Sequence, residues 1–139
     1  MKKILSLVLV LFTVFIVTGC GNKQTTIVCS QKVSTVNVEI TANFVGNKVN
    51  KMGLKYDMDY SNYSDAVVET LAKRDFCSTV KSAMGSQFTL VDCEQKQDGK
   101  KIIVTSGIDI TKMSSSSLTG SPKATKTELE KQGYSCILK

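Results

Sequence analysis

An α+β domain is predicted by three observations: two stretches of period-2 alternation, a stretch of helical spacing between them, and four cysteines suited to two disulfides. The expected architecture is an antiparallel sheet of four to five strands built from two hairpins, one long helix packed on a face, and a short C-terminal helix. Residues 26–139 form this single domain. A segment of that length can bury a real core.

The first hairpin carries the clearest periodicity. Val36, Val38, Ile40, Ala42 and Phe44 alternate with polar residues, and after Gly46-Asn47 so do Met52, Leu54, Tyr56, Met58 and Tyr60. A two-residue Gly46-Asn47 loop would put the two apolar rows on opposite faces. A longer loop centred on Asn47 is therefore predicted, pairing Ala42 with Met52 and Ile40 with Leu54. Thr25 to Gln31 supplies an extra strand.

Ser64 to Met84 reads as one helix. Val68, Leu71, Ala72, Phe76, Val80 and Ala83 make its stripe, Ser64 its cap and Gly85 its end, with Cys77 at the stripe's edge. In the second hairpin an Asp98-Gly99 turn pairs Gln97 with Lys100, Gln95 with Ile102 and Cys93 with Val104. Val91 and Cys93 then share the face of Ile102, Val104, Ile108 and Ile110. Ser114 to Ser121 is a polar connector without periodicity. Pro122 opens a short helix running to Gln132, stopped by Gly133, with Thr125 and Glu128 as an alternative capping box. Tyr134 to Leu138 is pinned back onto the domain through Cys136.

Cys29, Cys77, Cys93 and Cys136 allow three connectivities. Cys93 points toward whatever covers the sheet, and the helix bearing Cys77 is the obvious cover. That favours Cys77–Cys93 with Cys29–Cys136, against the alternative of Cys29–Cys93 with Cys77–Cys136. In the chain-entropy account a short loop contributes roughly 3 kcal/mol and one spanning most of the domain roughly 4.7.

The N-terminus has a different character. Lys2-Lys3 precedes an apolar stretch from Ile4 to Val17, broken only by Ser6 and Thr13. That is short of the roughly 20 apolar residues a membrane span needs, and it matches a secretory signal peptide over residues 1–19. Val17-Thr18-Gly19-Cys20 resembles the lipobox of bacterial lipoproteins. The resemblance implies lipidation of the Cys20 thiol, cleavage before it, and stable anchoring by two or more acyl chains. Residues 20–25 are the tether. About five residues lead to the first strand, a reach of at most roughly 18 Å, so the domain sits close to the bilayer.

Over most of its mature length the chain resembles the small bacterial lipoproteins of the YehR-like type. The stretches that carry this are Thr26-Ile27-Val28-Cys29-Ser30, the hairpin from Asn43 to Met52, Lys101 to Met113, and Gly133-Tyr134-Ser135-Cys136. The resemblance implies a lipobox, a short tether and a two-hairpin sheet with an intervening helix. It assigns no activity and no functional residue beyond Cys20.

The chain has no His, which excludes Ser-His-Asp and Cys-His catalysis and imidazole zinc sites. It has no C-x-x-C, G-x-S-x-G or P-loop pattern. No catalytic residue, metal ligand or cofactor is assigned. Asp57, Asp59 and Asp65 would suit Ca²⁺ by residue type, but the preferred reading is a solvated strand face followed by a helix N-terminal acid. Basic side chains outnumber acidic ones, 18 to 12. Lys48, Lys51 and Lys55, then Lys96, Lys100 and Lys101, then Lys123 and Lys126 read as solubility and edge protection, with attraction to anionic lipids or envelope polymers as the functional rival. Tyr56 and Tyr60 belong to the apolar row, so core packing is preferred over a ligand groove that would also include Tyr63 and Tyr134.

The expected function is a monomeric, non-enzymatic binding or interaction module. Cys20 anchors it on the extracytoplasmic side of the cell membrane, or facing the periplasm where an outer membrane exists. Membrane lipid is its covalent partner, a membrane-proximal envelope protein its candidate partner, and nucleic acid is not expected. The rivals are a small extracytoplasmic redox protein or enzyme, and a passive envelope structural lipoprotein.

Overall fold

The computed structural model describes residues 23–84, 86, 89–113 and 119–139. The leader, Cys20, Gly85 and residues 114–118 of the connector lie outside the described residues. The elements are β1 (Gln24–Val33), β2 (Val36–Val45), β3 (Lys48–Asp59), α1 (Asp65–Ala72), α2 (Phe76–Met84), β4 (Leu90–Asp98), β5 (Lys101–Ile108), a 3₁₀ turn (Ile110–Lys112), α3 (Pro122–Lys131) and β6 (Ser135–Leu138). The fold is α+β, but the sheet has six strands rather than four to five, in the order β4-β5-β3-β2-β1-β6. Every pairing is antiparallel. β1 begins at Gln24, inside the stretch assigned to the tether.

The extra strand is β6, four residues long, lying on β1 so that Cys136 faces Cys29. So short a run has no legible period, and its partner is about a hundred residues away in sequence. Two-residue turns join the three hairpins, and each puts a positive φ at its first central residue: Ser34 (57°), Gly46 (62°) and Gly99 (58°). Type II′ turns place glycine at that position.

Both predicted hairpin registers need correction at one point. The Gly46-Asn47 loop has two residues, with Val45 opposite Lys48 and Phe44 opposite Val49. A bulge at Asn50 then restores Ala42–Met52 and Ile40–Leu54, so Phe44, Val49 and Met52 all reach the core. In the second hairpin the turn is Gly99-Lys100, not Asp98-Gly99. Gln97 faces Ile102 and Gln95 faces Val104. The slip is two residues, so each side chain keeps its face. Beyond a bulge the faces swap, so Leu90 turns to the core and Val91 leaves it. A bulge at Asp92-Cys93, with Asp92 at φ 53°, puts Val91 opposite Gly107 on the outer face, where it is 41% exposed. Buried Ser106 satisfies its hydroxyl at that bulge by donating to the Val91 carbonyl at 3.0 Å.

The predicted long helix is two helices. Asp75 interrupts it by capping α2: its carboxylate accepts from the Ser78 N–H at 2.9 Å and from the Ser78 hydroxyl at 2.7 Å. Ser64 holds the N-cap position of α1 without a side-chain cap bond. Val68, Phe76, Val80 and Met84 are buried, whereas Ala83 is exposed, because the row that reaches the core in α2 is Phe76 and its i+4 and i+8 partners.

α3 follows its predicted course. Ser121 caps it through the Ala124 N–H, and Pro122 takes the first turn. Thr125 does not form the alternative capping box. It is buried and donates to the Ser121 carbonyl. Gly133 at φ 93° closes a Schellman motif, its N–H bonding Glu130 O and the Tyr134 N–H bonding Leu129 O, both at 3.1 Å.

One face of the sheet carries Ile27, Val38, Ile40, Phe44, Leu54, Ile102 and Val104, packed in one core with Phe76, Val80, Met84 and Leu129 from α2 and α3. No helix among the described residues covers the other face, which is mostly polar. Cys29–Cys136 joins β6 to β1, and Cys77–Cys93 joins α2 to β4.

Candidate functional site

A groove of about 310 Å³ lies between the end of α1 and β4. Glu69, Ala72 and Lys73 line one side, and Gln95, Lys96 and Gln97 the other. Gln95 builds it. Its amide Nε2 donates to the carbonyls of Ala72 (2.9 Å) and Arg74 (3.0 Å), and its Oε1 accepts from the Phe76 N–H (3.0 Å). One side chain thereby satisfies carbonyls left over at the end of α1 and an N–H left over at the start of α2. Gln97 Nε2 donates to Gly99 O at 3.0 Å. The groove presents amides and charges of both signs.

The aspartates separate into individual pairings. Asp57 meets Lys101 at 3.7 Å, and Asp65 meets Lys100 at 3.2 Å. The Ser61 N–H donates to Asp59 at 2.9 Å and holds that carboxyl below its usual range. No grouping of three potential metal ligands occurs among the described residues.

Tyr56 and Tyr134 are both buried, and neither hydroxyl has a hydrogen-bond partner among the described residues. Burial pushes both up to about 12, with proximity to Tyr134 adding to the shift at Tyr56. Tyr60 and Tyr63 meet edge to face at 5.6 Å just beyond the end of β3, and none of the four tyrosines lines the groove beside Gln95.

The lysines divide by position. Lys100 and Lys101 are paired with acids, Lys96 stands on the edge strand β4, and Lys126 bonds Glu130 at 2.7 Å. Lys48, Lys51 and Lys123 are exposed at the end of the sheet where β1 begins. The role of Gln95 was missed in the sequence, where no local signal marks it. The cap that creates its place is readable in hindsight as Asp75-x-x-Ser78.

These elements define a two-layer, disulfide-bonded α+β domain with a polar groove at one sheet edge. No protein-family model, no curated protein and no solved structure matches the chain.

Proposed function

We propose that this chain is an exported lipoprotein of the YehR-like type, held at the extracytoplasmic membrane surface through Cys20 and acting there as a non-enzymatic binding module. One observation carries the reading. Disulfides account for Cys29, Cys77, Cys93 and Cys136, and the fifth cysteine follows the apolar leader directly. Paired thiols suit an oxidising compartment, and a lone thiol behind a small residue suits lipid transfer. The groove beside Gln95, lined by amides and both charge signs, supports binding over catalysis.

Fractionating cells that express wild type and Cys20→Ala tests the anchor. Wild type should sediment with membranes and take up a labelled fatty acid, and the variant should take up none. Wild type that takes up no label would refute the anchor. Crosslinking in intact cells tests the binding role: one stoichiometric protein partner supports it, and empty capture favours a passive structural lipoprotein.

A further inference from the structure

The two ends of the sheet differ in charge. At one end lie Lys23 ahead of β1, Lys48 and Lys51 in the β2–β3 hairpin, Lys112 in the 3₁₀ turn and Lys123 in the first turn of α3. The backbone ties these together. Gly46 N–H bonds Lys23 O at 2.8 Å, and Gly120 N–H bonds Asn47 O at 2.7 Å. Lys48 bridges to Thr119, and the 3₁₀ turn packs beside β3. All five lysines are exposed, and none forms an ion pair among the described residues. Among the described residues Asp109 lies at this end, its carboxylate occupied by the Thr111 N–H and hydroxyl, and Asp92 stands two residues into β4. Val45 at the hairpin tip is 37% exposed among these lysines. The opposite end mixes signs: Lys100 and Lys101 are matched by Asp65 and Asp57, with Asp59 and Asp98 alongside.

We infer that the lysine-rich end is a docking surface for an anionic lipid bilayer, and that it fixes the domain's orientation on the membrane with Val45 toward the headgroups. Charge complementarity argues for this occupant. Basic side chains near a surface of anionic lipids are attracted to it, and the attraction fades within a Debye length, so they act only if held close. The inference takes that closeness from the proposed anchor. Lys23 is three residues from Cys20, so lipidation would bring it within roughly 11 Å of the acylated residue. A free tether would let the domain tumble. Five lysines without an ion pair among the described residues at the tethered end, and charges of mixed sign at the other, give the tumbling a preferred pose.

The chain contains no Trp, so a single introduced indole reports its own environment. Full-length protein carrying Val45→Trp, or Tyr63→Trp at the opposite end, is purified from membranes. Each variant's fold is checked by circular dichroism and by its disulfides. It is then mixed with phosphatidylcholine vesicles or with equimolar phosphatidylcholine–phosphatidylglycerol vesicles, each containing a brominated quencher lipid. Sedimentation with the neutral vesicles reads the anchor, and quenching reads the pose.

The expected result is quenching of Val45→Trp on the anionic vesicles alone, little quenching of Tyr63→Trp on either, and reversal by salt. Adding Lys48→Gln, Lys51→Gln, Lys112→Gln and Lys123→Gln should shift the docked-to-undocked ratio about fivefold per lysine removed. Equal quenching on both vesicle types, or equal quenching of both indoles, overturns the inference while leaving the anchor standing. Failure to sediment with neutral vesicles overturns the anchor instead. In that case salt-sensitive binding to the anionic vesicles that the lysine substitutions abolish still supports the surface, and no binding refutes it. Engagement of soluble polyphosphate without the vesicles would assign this end to an anionic polymer and overturn the inference.

Discussion

Replacing Gln95 by Leu tests how the helical layer is held to the sheet. The side chain makes three hydrogen bonds at the α1–α2 break, two as donor to Ala72 O and Arg74 O and one as acceptor from the Phe76 N–H. Each is worth about 1 kcal/mol net, and an orphaned group that stays shielded from water costs about 1–3 kcal/mol more. Gln95 and Ala72 are half-buried and Arg74 is exposed, so water recovers part of the loss at the Arg74 carbonyl. Gln95→Leu should therefore cost about 2–4 kcal/mol in urea unfolding with both disulfides intact. Hydrogen exchange at the Phe76 amide should accelerate along with it.

Gln95→Glu sharpens the test. It keeps an acceptor for Phe76 N–H but turns both donor contacts into an anion facing carbonyls. It should lose at least as much stability in neutral buffer and recover part of it in mildly acid buffer, where the protonated acid regains a donor. A Gln95→Leu loss below about 0.5 kcal/mol, less than one ordinary hydrogen bond, would refute the reasoning. It would leave Val68, Phe76 and the Cys77–Cys93 bridge to hold the layer.

Tyr56 and Tyr134 predict alkaline instability. Each buried hydroxyl is pushed up to about 12 from an ordinary 10.0, so the unfolded chain ionises first and the folded chain retains more protons. Stability should be unaffected below the ordinary value and fall between there and about 12, by up to about 3 kcal/mol per hydroxyl. Tyr56→Phe/Tyr134→Phe should flatten that decline in a pH-stepped urea titration, without loss at neutral pH because neither hydroxyl has a partner to lose among the described residues. Gly133→Ala should destabilise by about 1–2 kcal/mol in thermal melts, since φ 93° is unfavourable for an L side chain and the new methyl would meet Gln31 Nε2 at 2.9 Å. Ser34→Gly, at φ 57°, should go the other way by about 0.5–1 kcal/mol. Removing Cys29–Cys136 as a pair of alanines should cost more than removing Cys77–Cys93, because the sequence separations are 107 and 16. Urea midpoints in the reverse order would contradict the loop-length argument.

What the sequence revealed follows the range of the forces involved. Alternation in β2, β3 and β5 was legible because each strand buries one face, and period 2 records that burial directly. Faces survived even where register did not, since the Gly99-Lys100 turn moved the second hairpin by two residues. The bulges at Asn50 and Asp92-Cys93 were hidden because each answers a packing demand from another strand. The same holds for β6, whose four residues have meaning only against β1. The helix break was readable in principle, but the apolar spacing from Val68 to Val80 runs unbroken across Asp75 and masked the cap. At the groove, Lys73 and Lys96 were visible as charges, whereas Gln95 needs two helix ends and a strand to become a structural element.

The bridges sit where a small antiparallel sheet is weakest. An open sheet has two edges, and here they are β4 and β6. Each edge carries one half-cystine: Cys93 fastens β4 to the helical layer, and Cys136 fastens β6 to β1. The edges are also blunted against pairing with another chain. β6 is only four residues long, and β4 carries a bulge and the charges of Glu94, Lys96 and Asp98. Opening the Cys29–Cys136 bridge should therefore do more than lower stability. It frees the edge of β1, a strand rich in Thr, Val and Ile, to pair with a second copy. The reduced or alanine-substituted protein should form concentration-dependent dimers or aggregates in sedimentation velocity at urea concentrations where the fold persists, whereas removing Cys77–Cys93 should not. If both variants stay monomeric, β6 is held by its backbone ladder and by α3, and the bridge contributes through the unfolded chain alone.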